Sequence, residues 1–122
     1  MSIMKLVILK VIVLGIYIAL LQNVNAAEKG FDQLVMELTS PCADERMDAA
    51  WALGELKDTR AVKYLVKSLE DPDECVRYYA VKALGNLGDN SSIPFLEKAL
   101  NREVQPWIVQ VLKEAIDKLN KH

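Results

Sequence analysis

Few residues in this chain have the chemistry for catalysis. There is one histidine, His122, the last residue, and there are two cysteines, Cys42 and Cys75. A nucleophile needs a base within hydrogen-bond reach, and His122 sits on a tail with no catalytic neighbour in the sequence. Zinc needs closely spaced Cys and His ligands, and none are found. No glycine-rich phosphate loop is present. Acidic residues are numerous but fall in linkers and helix caps. The expectation is a non-enzymatic protein with no catalytic residue, metal or cofactor. The side chains suited to recognition are different ones: Trp51, Tyr78, Tyr64 and Lys67. Aromatic rings anchor interfaces because they bury much area at low entropic cost.

The elements that carry these residues repeat. "WALGELKD" (Trp51 to Asp58) returns as "KALGNLGD" (Lys82 to Asp89) after a shift of 31 residues. The same shift pairs Arg46 with Arg77, Ala49 with Ala80, Ala52 with Ala83, Gly54 with Gly85, Leu65 with Leu96 and Lys67 with Lys98. Within a unit, Val76, Ala80, Ala83, Leu84 and Leu87 fall on one helical stripe, as do Ile93, Leu96, Ala99 and Leu100. Gly88 is a helix stop, Asp89 or a following Asn or Ser can cap the next helix, and Pro94 fits only a first helical turn. Pro72 is flanked by Asp71 and Asp73, which are turn and cap residues. Six helices follow, near 31–38, 44–57, 60–69, 74–87, 91–100 and 105–120. Each is too short to stand alone. Stacked as hairpins they make an all-α solenoid of about three repeats. The last helix, opened by Pro106, carries Trp107, Val111, Leu112, Ala115, Ile116 and Leu119 on one side and caps the stack. Residues 31–38 cover the other end with one short helix, which leaves room for self-association.

A hydrophobic segment precedes the repeats. Lys5 and Lys10, an apolar run from Val11 to Leu21, and Val24 and Ala26 give the three-part layout of a secretory signal. The expectation is a signal peptide over 1–26 and a repeat domain over 27–122, with the exported chain in the bacterial periplasm. Loss of Lys5 and Lys10 takes the net charge from −2 to −4, which offers no basic footprint for nucleic acid. The alternative keeps residues 6–21 as a membrane anchor facing outside the cytoplasm. An oxidising compartment raises a disulfide between Cys42 and Cys75. Stacked units lie about 10 Å apart and a disulfide needs Cα atoms within about 7 Å, so the pairing stays open.

The stretch "ERMDAAWALGELKDTRAVKYLVKSLEDPDECVRYYAVKALGNLGDNSSIPFLEKAL" resembles short HEAT repeats of the phycobilisome-lyase-like type. The resemblance runs over about 31–120 and implies a scaffold. Two kinds of relative are enzymes. Deoxyhypusine hydroxylases, which resemble this chain in repeat type, bind iron through His-Glu pairs directly after the repeat arginine. The matching slots here are Met47-Asp48 and Tyr78-Tyr79, without histidine. Bilin lyases are longer chains that often work with a partner subunit. A lyase-like or hydroxylase-like enzyme is therefore the outlying reading.

The central reading is a small exported scaffold that binds another protein, with a membrane-tethered adaptor as runner-up. Trp51 stands where the next unit has Lys82, either packed on helix 31–38 or exposed as an anchor. Tyr78 shares its slot with Met47. Tyr64 and Phe95 are half-buried walls of the second helices, beside Lys63, Lys67 and Lys98. Arg46 and Arg77 are expected to pair with Asp44, Asp58, Asp73 and Asp89 as a ladder. Gly54 and Gly85, costly inside helices by about 1 kcal/mol relative to alanine, point to tight crossing within each hairpin.

Overall fold

The protein's structure is a computed structural model that describes residues 2–27 and 29–121, the side chains of 21–27 excepted. His122 and the residues proposed around the signal cleavage point, Val24 and Ala26, lie outside the described residues in whole or in side chain. The chain divides into two compact units, 1–30 and 31–122.

The first unit is one helix, α1 (Ile3–Ala27). Its apolar part, Ile3–Leu20, has a mean hydropathy of 2.5 and is long enough to cross a membrane by length and composition. The apolar stretch is thus longer than the run from Val11 read from sequence. A helix carries Lys5 and Lys10 without breaking, so both fall inside it.

The second unit holds six helices: α2 (Phe31–Glu37), α3 (Ala43–Glu55), α4 (Val62–Ser68), α5 (Glu74–Leu87), α6 (Ile93–Arg102) and α7 (Pro106–Asn120). Single turns of 3₁₀ helix at Thr59–Ala61 and Asn90–Ser92 lead into α4 and α6. Several of the starts have a local cause. The Asp73 carboxylate accepts from the amides of Cys75 and Val76, which supplies two of the donors that a helix start leaves unpaired. Asp58 and Asp89 do the same for Arg60 and Ser91 at the 3₁₀ turns. Pro94 and Pro106 occupy first turns, where their missing N–H costs nothing. The stop after α5 is Gly88 at φ 70, the left-handed conformation that only glycine adopts cheaply.

The first helices α3, α5 and α7 pack in sequence as one layer. Each second helix packs chiefly on the first helix that follows it: α2 on α3, α4 on α5, α6 on α7. The tight hairpins therefore form across the linkers rather than inside the unit that the sequence repeat outlines. A repeat in sequence fixes a period but leaves the starting phase open. Leu53, Leu65, Leu84, Leu96, Ile108, Leu112 and Leu119 are fully buried between the layers. Each such leucine or isoleucine contributes about 1.5–3 kcal/mol relative to exposure.

The glycines correct one expectation. A Cβ on Gly54 would lie 2.7 Å from Ala83 Cα, whereas one on Gly85 would meet Ala115 Cβ at 3.5 Å. The close approach is thus between successive first helices, α3 and α5, and not within a hairpin. It occurs at one of the two glycines.

The arginine ladder exists with different partners. Arg46 clamps Asp71 with both arms, at 2.8 and 3.0 Å, and donates to the Ser40 carbonyl at 2.8 Å. Arg77 clamps Glu103 at 2.9 and 3.2 Å and donates to the Asp71 carbonyl at 2.9 Å. Each arginine joins two consecutive linkers, and Asp71 serves both. Asp58, Asp73 and Asp89 are committed to capping amides instead, which removes them from the ladder. Glu103 is held below the usual carboxylate range: burial works to raise it, and hydrogen bonds from Arg77 and the Gln105 and Val104 amides outweigh that. Cys42 and Cys75 are both exposed free thiols, each opening a different first helix, so the open disulfide reading is not realised.

Candidate functional site

The second helices and their 3₁₀ turns build an open groove of about 770 Å³. Phe31 from α2, Tyr64 from α4 and Phe95 from α6 form its aromatic row, one ring from each successive second helix. Lys63 and Lys67 join from α4, and Arg60 from the turn before it. Lys63 and Lys67 share a face because four residues are just over one helical turn.

The rings and cations touch. Phe31 and Tyr64 meet edge to face with centroids 6.1 Å apart, the arrangement their ring quadrupoles favour. The Arg60 guanidinium lies 4.4 Å from the Phe31 centroid, and Lys63 Nζ lies 4.9 Å from that of Tyr64. Both are cation–π distances. Arg60 is also clamped by Asp58 at 2.6 Å. Hydrogen bonds from the Arg60 side chain and amide hold Asp58 below the usual carboxylate range. Ser91, through its side chain and amide, does the same for Asp89. Asp32 and Asp89 line the groove too, and Lys67 makes no ion pair among the described residues. Phe95 is 47% exposed, a large apolar surface for a ring.

Of the residues singled out in sequence, Tyr64 and Lys67 come together in this groove. Trp51 and Tyr78 do not line it. Trp51 is 53% exposed on α3. Tyr78 is half-buried, its ring 5.2 Å from those of both Tyr79 and Trp107, so packing occupies part of the slot assigned to contact. Sequence reasoning missed Phe31 and Arg60. Phe31 is out of register with Tyr64, since the 31-residue shift pairs it with Val62. Arg60 has no counterpart because its slot in the next unit is Ser91. The available signal was the cap residue Asp58, which turns the following residues toward the second helix. Among the described residues, no group of three or more His, Cys, Asp and Glu is placed to hold a metal.

Residues 31–117 match the HEAT repeats family. No functionally curated protein matches the chain. Among solved structures, the complex of CpcE and CpcF of phycocyanin lyase from Nostoc sp. PCC7120 is similar at 26% identity and a TM-score of 0.68. The match covers 75% of this chain and 38% of that one. An epoxyqueuosine reductase, solved with an epoxyqueuosine-modified tRNA-Tyr stem loop, is similar at 30% identity and a TM-score of 0.58. That match covers 62% of this chain and 20% of the other. The chain thus spans well under half the length of either protein.

Proposed function

Because this chain belongs to the HEAT-repeat family, we propose that it is a non-catalytic scaffold that binds another protein along the second-helix groove. One observation carries the reading: an aromatic row, flanked by cations, left open to solvent on a rigid stack. Recognition surfaces need fixed anchors, and here the stack fixes Phe31, Tyr64 and Phe95 relative to one another. The similarity to a lyase solved as a two-protein complex supports a protein partner. Trp51 is a second anchor outside the groove.

The test is a photo-crosslinking phenylalanine analogue in place of Phe95, introduced in the producing cell. A discrete higher-mass adduct is expected, and none from the same analogue at exposed Lys113. Equal labelling from both positions, or from neither, would overturn the groove.

The scaffold works outside the cytoplasm in this reading, delivered by α1 as a signal. A second reading keeps α1 as an anchor and the repeats as a tethered adaptor. It is favoured by the unbroken helix Ile3–Ala27 and its apolar length. Intact mass of the exported protein separates the two, since a mass for residues 1–122 excludes cleavage. The enzymes this chain is similar to are far longer, and their activities are not assigned to it.

A further inference from the structure

We propose that the outward face of α3 binds a cationic, arginine-bearing segment of a protein partner, with Trp51 as the ring on which a guanidinium stacks. The inference rests on the protein-binding reading for Trp51 and is independent of the groove.

Helical spacing builds the face. Asp44, Asp48, Trp51 and Glu55 follow one another at steps of four, three and four residues, which puts them on one side of α3. All four are exposed, and together they span about 16 Å of helix. The 31-residue shift places Cys75, Tyr79, Lys82 and Asn86 in the same slots of α5. The acidic stripe and its ring are therefore no by-product of the repeat.

The charge along α3's exposed side is of one sign. Between Phe31 and Leu56 the sequence has six carboxylates and one cation, Arg46. Arg46 is spent on Asp71 and the Ser40 carbonyl. Lys57, just past the stripe, donates to the Asn86 carbonyl. Lys82, in the Trp51 slot one helix over, is exposed and pairs with none of the three acids. Among the described residues, Asp44, Asp48 and Glu55 thus have no ion-pair partner. Nor are they grouped to hold a metal. A nucleic acid or an anionic bilayer would be repelled along the stripe, whereas a basic segment meets complementary charge, which sets partner choice and speeds association.

The ring selects the cation. The chain lays its own cations over Phe31 and Tyr64, with Arg60 at 4.4 Å and Lys63 at 4.9 Å. Trp51 is 53% exposed and has no cation or ring against it among the described residues. Tryptophan is the best of the rings for a cation. A guanidinium stacks flat on such a ring and still offers its edge to a carboxylate in two parallel bonds. Asp48 stands one turn before Trp51 and Glu55 one turn after. An ammonium is a point charge and cannot do both with one geometry, so arginine should outrank lysine.

The experiment uses the full chain in mild detergent and fluorescence anisotropy. The probe is a labelled peptide about twelve residues long, three helical turns, with arginine at helical spacing on one side and alanine elsewhere. It is expected to bind about tenfold more tightly than its glutamine counterpart, a difference of about 1.4 kcal/mol, and more tightly than its lysine counterpart. Its affinity should fall as salt rises, since exposed charges are screened within about 8 Å at physiological ionic strength. Asp48→Asn with Glu55→Gln should lose the preference over glutamine. Trp51→Ala should erase the preference of arginine over lysine, and Trp51→Phe should keep part of it. Glu97→Gln, at an exposed carboxylate on α6, should change nothing. Parity of the arginine and glutamine peptides, or an unchanged preference in the folded double variant, overturns the proposal. So does an equal loss in Glu97→Gln, which would reduce the effect to net charge. A dimer in sedimentation that Trp51→Ala dissociates would give the face to a second copy and overturn it too. A Phe95 adduct together with peptide parity removes this face and leaves the groove. Arginine-selective binding without the adduct leaves this face and removes the groove.

Discussion

The α3 and α5 units are written in nearly the same letters and are held in place differently. At Gly54 the neighbouring helix presses against the backbone, with Ala83 Cα 2.7 Å from where a Cβ would stand. At Gly85 the neighbour is only an alanine methyl at ordinary contact distance. The α5 start is capped by Asp73, while the matching residue of α3, Cys42, makes no side-chain cap. The α5 stop is Gly88, and its counterpart Lys57 sits at φ 57, left-handed without being glycine. Identity in sequence therefore does not guarantee identity of role. The α3 unit carries the tight crossing and two poor helix ends, and the α5 unit carries good ends and slack packing.

The largest expected effect tests the crossing. Gly54→Ala should cost about 2 kcal/mol, because overpacking of up to about 3 kcal/mol exceeds the gain of about 1 from helix propensity. Thermal unfolding followed by circular dichroism should show a fall of roughly 10 °C in a unit of this size. A rise in Tm would mean that the helices part without cost. Glu103→Gln comes next, at about 1.5 kcal/mol, for weakening a charge-assisted clamp. The Glu103 carboxyl is held below its unfolded value, near 4.3. Its contribution is therefore present above that pH and fades as pH falls through the folded value. The variant should lose stability at neutral pH and show a flatter decline as pH falls below the unfolded carboxylate value. An identical acid limb in both proteins would remove Glu103 from the ladder.

Smaller effects sharpen the contrast between the ends. Cys42→Asp should stabilise the α3 unit by about 1 kcal/mol through a new cap, read as a higher denaturant midpoint at constant slope. Gly85→Ala should gain up to about 1 kcal/mol from propensity, opposite in sign to its twin at Gly54. If the two alanine variants move in the same direction, the difference between the crossings is not energetic.

The helices themselves were legible. Their apolar stripes, the prolines at 94 and 106 and the caps at Asp73 and Asp89 are local signals, and local signals survive in a linear string. The ladder arginines were legible as a pair, but their partners were not. Asp71 and Glu103 lie 25 and 26 residues from their arginines, so the one-residue difference in linker length hides them from a strict 31-residue shift. The groove was half legible. Tyr64, Phe95, Lys63 and Lys67 stand out on the second helices, while Phe31 and Arg60 join only because the hairpins stack.

What the sequence determined by itself is the period, the helical content and the apolar leading segment, because each follows from residue spacing within about two turns of chain. The tertiary structure alone decided which helix pairs with which, which glycine is pressed, which acid each arginine clamps and which side chains share a groove. Those outcomes depend on distances between residues one unit apart. A repeat leaves such distances undetermined until the buried faces have chosen their neighbours.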